Sequence, residues 1–332
     1  MIVFAMAVTA NATPAALPCT AAPVATIETE GGPEDVVAVP LPNGAVRLFV
    51  RERSQIGAAT LIGALVPART TRAWRPSSGA FDPLGMSLVR GARDGDATLY
   101  VLDRAERPRI WRLAIENGAV NDAAAPWVDN LDESFEAAND IQAVGDAVYV
   151  TRFDASGMLS GWVPWRGVAR VRRVADAPGW EASHFADGFR GANGIIHLGD
   201  RGLLVSDYWG RRLRFISKSP DGETGAPRFA TAGLPIHPDN LTLDGDRVLI
   251  AGQYSVFRTF LNLALPSSSS PSGVLSIGVD QLGANAMPQL LWDGDRRYGR
   301  SVSVAVRVPG GLALGQIRSS GVLIVRCGAA AR

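Results

Sequence analysis

Six times along the chain a short turn of Gly, Asp or Asn gives way to a run of apolar residues. The turns and runs are Pro42-Asn43-Gly44 before Val46 to Val50, Asp94-Gly95-Asp96 before Leu99 to Leu102, and Gly145-Asp146 before Val148 to Val150. They continue with Gly199-Asp200-Arg201-Gly202 before Leu203 to Val205, Asp244-Gly245-Asp246 before Val248 to Ile250, and Pro309-Gly310-Gly311 before Leu312 to Leu314. Asn-Gly and Asp-Gly supply the positive φ of tight hairpin turns, so each run is predicted to be a strand leaving a hairpin. The run starts lie 45 to 64 residues apart. Further strands are predicted over 109–115, 167–174, 212–216, 273–277 and 322–326, and no long amphipathic helix stands out. Four-stranded units that recur every ~40–50 residues predict an all-β, six-bladed β-propeller.

A second pattern precedes the first. Upstream of each turn stands a polar residue or pair, followed by an alternating apolar stretch. Glu34-Asp35, Asn139-Asp140, Asn193-Gly194 and Asp239-Asn240 hold this offset, with Leu84-Gly85-Met86 in the second unit and Ser301-Val302 in the sixth. In a propeller the first strand of each blade lines the central channel, so these residues are expected to converge on the axis. Carboxylates and carboxamides together, with no Cys or His, suit Ca²⁺ with its six to eight oxygen ligands. They suit Zn²⁺ poorly. Taken singly, each pair is also an ordinary turn opener.

Composition narrows the classes. The chain is 47% hydrophobic and 20% charged, with a net charge of +1 and no block of like charges. This gives no support for nucleic acid or an anionic membrane as partner. No uninterrupted apolar stretch approaches the ~20 residues of a spanning helix. Residues 1–18 are read as an apolar, signal-like segment and 19–332 as one propeller domain. Met1 to Ala12 ends in small residues, but the first basic residue is Arg47, so the usual positive leader is missing. The two cysteines, Cys19 and Cys327, flank the proposed ring. A propeller must close its last blade or leave an exposed edge. A Cys19–Cys327 bridge would tie the N- and C-terminal segments together, and it implies a secreted or periplasmic location. Two buried thiols are the plainer alternative.

At these residues the chain resembles the paraoxonase/arylesterase family, within the wider group of calcium propellers that includes gluconolactonases and strictosidine synthase-like proteins. Cys19 to Pro40 is similar to the family's opening cysteine and Glu-Asp motif. Asn139-Asp140-Ile141-Gln142-Ala143-Val144-Gly145 matches its Asn-Asp-Ile-x-Ala-Val-Gly motif. Ala192-Asn193-Gly194-Ile195 and Asp239-Asn240-Leu241 match two more, and Ser301 to Cys327 resembles the closing strands. The resemblance implies two calcium ions on the axis. Glu34, Asn139, Asn193, Asp239 and Asn240 match the ligands of a catalytic ion. Asp35, Asp140 and the Met86 carbonyl match those of a buried structural ion. It further implies hydrolysis of lactones or aryl esters, the ion polarising the carbonyl, with Asp239 as candidate nucleophile or base.

The chain also departs from that pattern. The family's active-site histidine falls on Leu84, its partner near Arg104, and a third histidine on or near Gln253. Leucine can neither donate nor accept a proton, so the histidine dyad is lost. Of His184, His197 and His237, His197 sits in an alternating strand and reads as structural, and His237 lies two residues from Asp239, where a histidine at the start of a strand reads first as a surface residue. Asp207-Tyr208-Trp209 reads as aromatic packing near the channel mouth, and Trp162, Trp165 and Trp180 as interblade filling. Two functions remain open: a calcium-dependent hydrolase of small-molecule esters or lactones, and a calcium-stabilised propeller that binds without catalysing.

Overall fold

The computed structural model describes residues 18–121, 125–132, 135–153, 167–174, 179–217, 226–265, 268–294, 298 and 300–328. Trp162 and Trp165 lie outside them. The chain begins its regular structure with β1 (Ala25–Glu28). Five consecutive four-stranded sheets follow. The first holds β2 (Val36–Pro40), β3 (Val46–Arg51), β4 (Ile56–Leu61) and β5 (Thr71–Trp74). The second holds β6 (Pro83–Arg90), β7 (Ala97–Asp103), β8 (Arg109–Glu116) and β9 (Ala119–Val120). The third holds β10 (Ala138–Val144), β11 (Ala147–Arg152), β12 (Val168–Arg173) and β13 (Trp180–Ala186). The fourth holds β14 (Ala192–His197), β15 (Leu203–Asp207), β16 (Arg212–Ile216) and β17 (Arg228–Phe229). The fifth holds β18 (His237–Asp244), β19 (Arg247–Gln253), β20 (Ser272–Gly278) and β21 (Gln289–Gly294), with helix α1 (Val256–Ala264) between β19 and β20. The last three strands, β22 (Val302–Val308), β23 (Gly311–Gln316) and β24 (Gly321–Arg326), form the sixth sheet. Its outer strand is β1, with Ala25 opposite Ile324. The architecture is an all-β, six-bladed propeller.

The core explains why the second strands read as unbroken apolar runs. Each cluster of buried side chains bridges two successive blades. Phe49, Ile56 and Trp74 of the first meet Leu99, Val101 and Trp111 of the second. The same holds around the ring to Val304 and Val306 of the sixth, which meet Leu48 and Val50 of the first. A sheet packed on both faces buries alternate residues on opposite sides, so period-2 polarity disappears. Val248 to Ala251 of β19 are accordingly all buried.

Cys19 and Cys327 are disulfide-bonded across 308 residues of sequence. Among the described residues no helix is long and apolar enough to cross a membrane.

The inner strands β2, β6, β10, β14, β18 and β22 pack against one another around the axis. Each runs from its polar pair towards a hairpin turn, as at Gly245 with φ +62°. All the polar pairs therefore gather at the end of the ring opposite those turns.

Candidate metal centre

The polar pairs occupy a shared irregularity. Pairing in β6, β10, β14 and β18 skips two residues on the inner strand against one on its neighbour: Leu84-Gly85, Asn139-Asp140, Asn193-Gly194 and Asp239-Asn240. In β2 the ladder starts at Val36, just after Glu34-Asp35. Such β-bulges turn a side chain out of the ladder and recur beside functional sites. In β22 the extra residue is Ser303, two positions beyond the Ser301 expected from the sequence. The Ser303 hydroxyl donates to the Glu34 carbonyl at 2.7 Å.

The second bulge position alternates large and small. Asp35, Asp140 and Asn240 are separated by Gly85 and Gly194. A Cβ on Gly85 would lie 2.7 Å from the Asp140 Cα, and one on Gly194 would lie 2.5 Å from the Asp239 carbonyl oxygen. Glycine lets neighbouring blades bring these backbones together.

The buried carboxylates are held by backbone N–H groups of two blades each. Asp35 accepts from Val36 at 2.8 Å and from Met86 in the next blade at 2.6 Å. Asp140 accepts from Ile141 at 2.8 Å and from Ile195 in the next blade at 3.0 Å. Met86 meets Asp35 through its backbone N–H, whereas the expectation concerned its carbonyl. Burial raises the pKa of Asp35, and it raises that of Asp140 as well, with help from the Asp35 charge. Arg51 is a weak influence on Asp35, since its guanidinium donates to the carbonyls of Pro83 and Gly32.

Asp239 completes the group. Its Oδ2 accepts from Gln253 Nε2 at 2.8 Å, and the Asn193 side chain also bonds to it. Burial pushes Asp239 up to about 8, opposed by the Gln253 bond and assisted by the Glu34 charge. Asn240 Nδ2 donates to the Glu34 carbonyl at 3.3 Å. The carboxamide oxygens of Asn193 and Asn240 are both buried without a donor. Glu34 and Asn139 are half-buried at the open end. Among the described residues, no three side chains drawn from His, Cys, Asp and Glu form a metal-holding group. The oxygen set mixes carboxylates with carboxamides, and that mixture suits a hard cation.

A cavity of about 530 Å³ lies between the inner strands, lined by Asp35, Asp140 and Asn240 and, towards the hairpin end, by Asp244 and Arg307. Asp244 and Arg307 are ion-paired at 2.9 Å.

His237 opens β18 and is half-buried, so the expectation of a surface histidine does not hold. Its Nδ1 lies 3.1 Å from the Tyr208 carbonyl. A carbonyl only accepts, so Nδ1 carries the proton and Nε2 keeps its lone pair. Burial lowers the His237 pKa. Tyr208 and Trp209 pack on it at ring-centroid distances of 5.2 and 6.3 Å, and Phe153 stacks on Trp209. Leu84 is buried, and Arg104 faces Asp82 at 3.9 Å. Asp207 is buried and ion-paired with Arg214 at 2.8 Å. His197 donates its backbone N–H to Gln142 Oε1 at 3.2 Å. Gln253, Tyr208 and Ser303 are the members of this region that the sequence pattern did not single out as a unit.

No family model and no curated protein matches the chain. Among solved structures, a propeller provisionally named a gluconolactonase superposes with a TM-score of 0.52 at 16% identity, over 95% of this chain and 93% of that one. A protein of unknown function from Dyadobacter fermentans superposes with a TM-score of 0.51 at 12% identity, over 92% and 99% of the two chains. A gluconolactonase of Xanthomonas campestris gives 0.48 at 13% identity, over 93% and 99%. At such identities the likeness concerns the fold.

Proposed function

We propose that the chain is a calcium-dependent hydrolase of lactones or aryl esters, as its resemblance to the paraoxonase/arylesterase family implies. One observation carries the cation: two buried carboxamide oxygens without donors, those of Asn193 and Asn240, beside the buried carboxylate of Asp239. An unsatisfied buried acceptor costs about 1–3 kcal/mol. Buried carboxylates without a matched cation repel and resist ionisation. A hard cation on these oxygens removes both penalties. Glu34, Asn139, Asn193, Asp239 and Asn240 are the residues to hold it, with Asp35, Asp140 and the Met86 carbonyl holding a second, deeper ion.

When bound, the ion supplies Lewis-acid polarisation of the substrate carbonyl and stabilises the developing oxyanion. The protein's own groups handle the proton. Asp239 offers the oxygen that Gln253 leaves free, either to attack the carbonyl or to take a proton from water. His237, with a lone pair on Nε2, is placed beside it in sequence to do the second job. Leu84 can do neither. The same reading closes the ring where β1 meets β24 and Cys19 meets Cys327, in an oxidising, secreted or periplasmic setting.

A non-catalytic, calcium-stabilised binding propeller is the second reading. It is favoured by Leu84, Arg104 and Gln253 standing where the family has histidines. The test is turnover of γ- and δ-lactones and phenyl acetate by wild type, Asn139→Ala, Asp239→Ala and His237→Ala, with calcium and with EGTA. Calcium-dependent turnover, lost in folded Asn139→Ala and Asp239→Ala, establishes the hydrolase. Loss in His237→Ala as well, typically by about 10²–10⁴-fold for a general base, assigns the proton to His237. Absence of turnover, with calcium still raising the melting temperature, favours the binding module.

A further inference from the structure

Gln253 sits at the end of β19 with no exposed surface. Burying an amide costs free energy unless all its groups are bonded, and a leucine would fit the apolar strand more cheaply. All its groups are bonded, and to three blades. Tyr208 Oη, in the fourth blade, donates to its Oε1 at 3.0 Å. Its Nε2 donates to Asp239 Oδ2 in the fifth at 2.8 Å and to the Val302 carbonyl in the sixth at 2.9 Å.

Two other second strands also end on a buried polar side chain, each opposite the residue just before the inner-strand bulge, a place that Gly252 holds in the fifth blade, one residue before Gln253. Asp103, closing β7, is ion-paired with Arg109 of its own sheet at 2.7 Å, and Asp207, closing β15, with Arg214 of its own sheet at 2.8 Å. Opposite Gln253 on β20 stands Ser272 instead of an arginine. Gln253 bonds instead to Asp239 on β18 of its own sheet and to groups of the blades on either side.

We infer that Gln253 is a positioning residue for Asp239, with its amide orientation fixed by Tyr208. The phenol has one proton to give, and giving it to Oε1 commits Nε2 to its two acceptors. Asp239 Oδ2 is thereby occupied, and its other oxygen is left for the axis. Removing the amide lets the carboxylate rotate, so the oxygen set is no longer assembled in advance. This inference rests on the calcium reading above.

The experiment measures calcium affinity by titration calorimetry, and lactonase or esterase kinetics, for wild type, Gln253→Met and Tyr208→Phe, well below their melting temperatures. The expected result is a loss of about 10–100-fold in calcium affinity for Gln253→Met, as for other residues that orient metal ligands. With calcium saturating, kcat falls and KM holds. Tyr208→Phe lies between Gln253→Met and wild type. Should Gln253→Met fail to fold, Tyr208→Phe decides alone. Variants that melt earlier yet keep calcium affinity and kcat overturn the positioning role and leave the hydrolase standing. A wild type that takes up no calcium overturns the calcium reading and this inference with it.

Discussion

Asp239 is a carboxylate that folding makes harder to ionise. Its pKa rises from 3.8 to about 8, chiefly through burial. The folded protein therefore holds this proton more tightly than the unfolded chain does. By linkage, the stability it gives is full below about pH 4, declines as pH rises and is lost above about pH 8. Asp35 and Asp140 shift in the same direction. In EDTA the melting temperature should therefore fall steadily from pH 5 to pH 8. With calcium saturating, the fall should flatten or reverse, because ionised oxygens are then the stabilised form. Scanning fluorimetry across that range, with and without calcium, checks both limbs. A flat profile in EDTA would mean these carboxylates are solvated. The bulge residues were legible in sequence because a polar pair ahead of an apolar stretch is conspicuous when it recurs at one offset. Gln253 was less so, since its bond to Asp239 reaches back across β19 and β18. The trace it leaves is one amide closing the apolar run Val248 to Gly252.

At the scale of elements, the bulges and α1 carry most of what periodicity did not foretell. β22 reads Val302-Ser303-Val304-Ala305, and serines at 301 and 303 share one face of an alternating strand. Period 2 alone cannot say which of them is the extra residue of the bulge. α1 escaped notice because its amphipathicity is inverted. Thr259 and Asn262 are buried, whereas Phe257 is 76% and Leu265, just after the helix, 54% exposed. Its polar face bonds inward: Thr259 meets Ser270 at 2.9 Å, and Ser301 Oγ donates to Asn262 Oδ1 at 3.3 Å. Removing one partner of a buried hydrogen bond costs about 1–3 kcal/mol. Asn262→Ala should lower the melting temperature accordingly, while Phe257→Ser leaves it unchanged or slightly higher. Thermal melts of the two variants test this directly, and a loss confined to Phe257→Ser would mean that the outer face of α1 is covered in solution.

For the whole molecule, the repeat spacing and turn chemistry were enough to read a six-bladed ring. The pairing of β1 with β24 was not in the hairpin pattern, because its partners lie at opposite ends of the described chain. The Cys19–Cys327 bond spans the same junction. Chain-entropy arithmetic for so long a loop gives roughly 5–6 kcal/mol as a ceiling. Reduction, or Cys19→Ser with Cys327→Ser, should lower the melting temperature and leave the circular-dichroism spectrum of the fold intact at room temperature. If the double variant melts with the oxidised protein, β1 and the blade packing hold the junction by themselves.

The pairing of Ala25 with Ile324 also sets a timetable for biosynthesis. The first strand leaves the ribosome ~15–60 s before its partner at elongation rates of about 5–20 residues per second. Until then, the sixth sheet has its outer strand but lacks the partner that β1 pairs with. The sixth sheet is therefore the last to be completed, since it joins the earliest strand of the described residues to the latest.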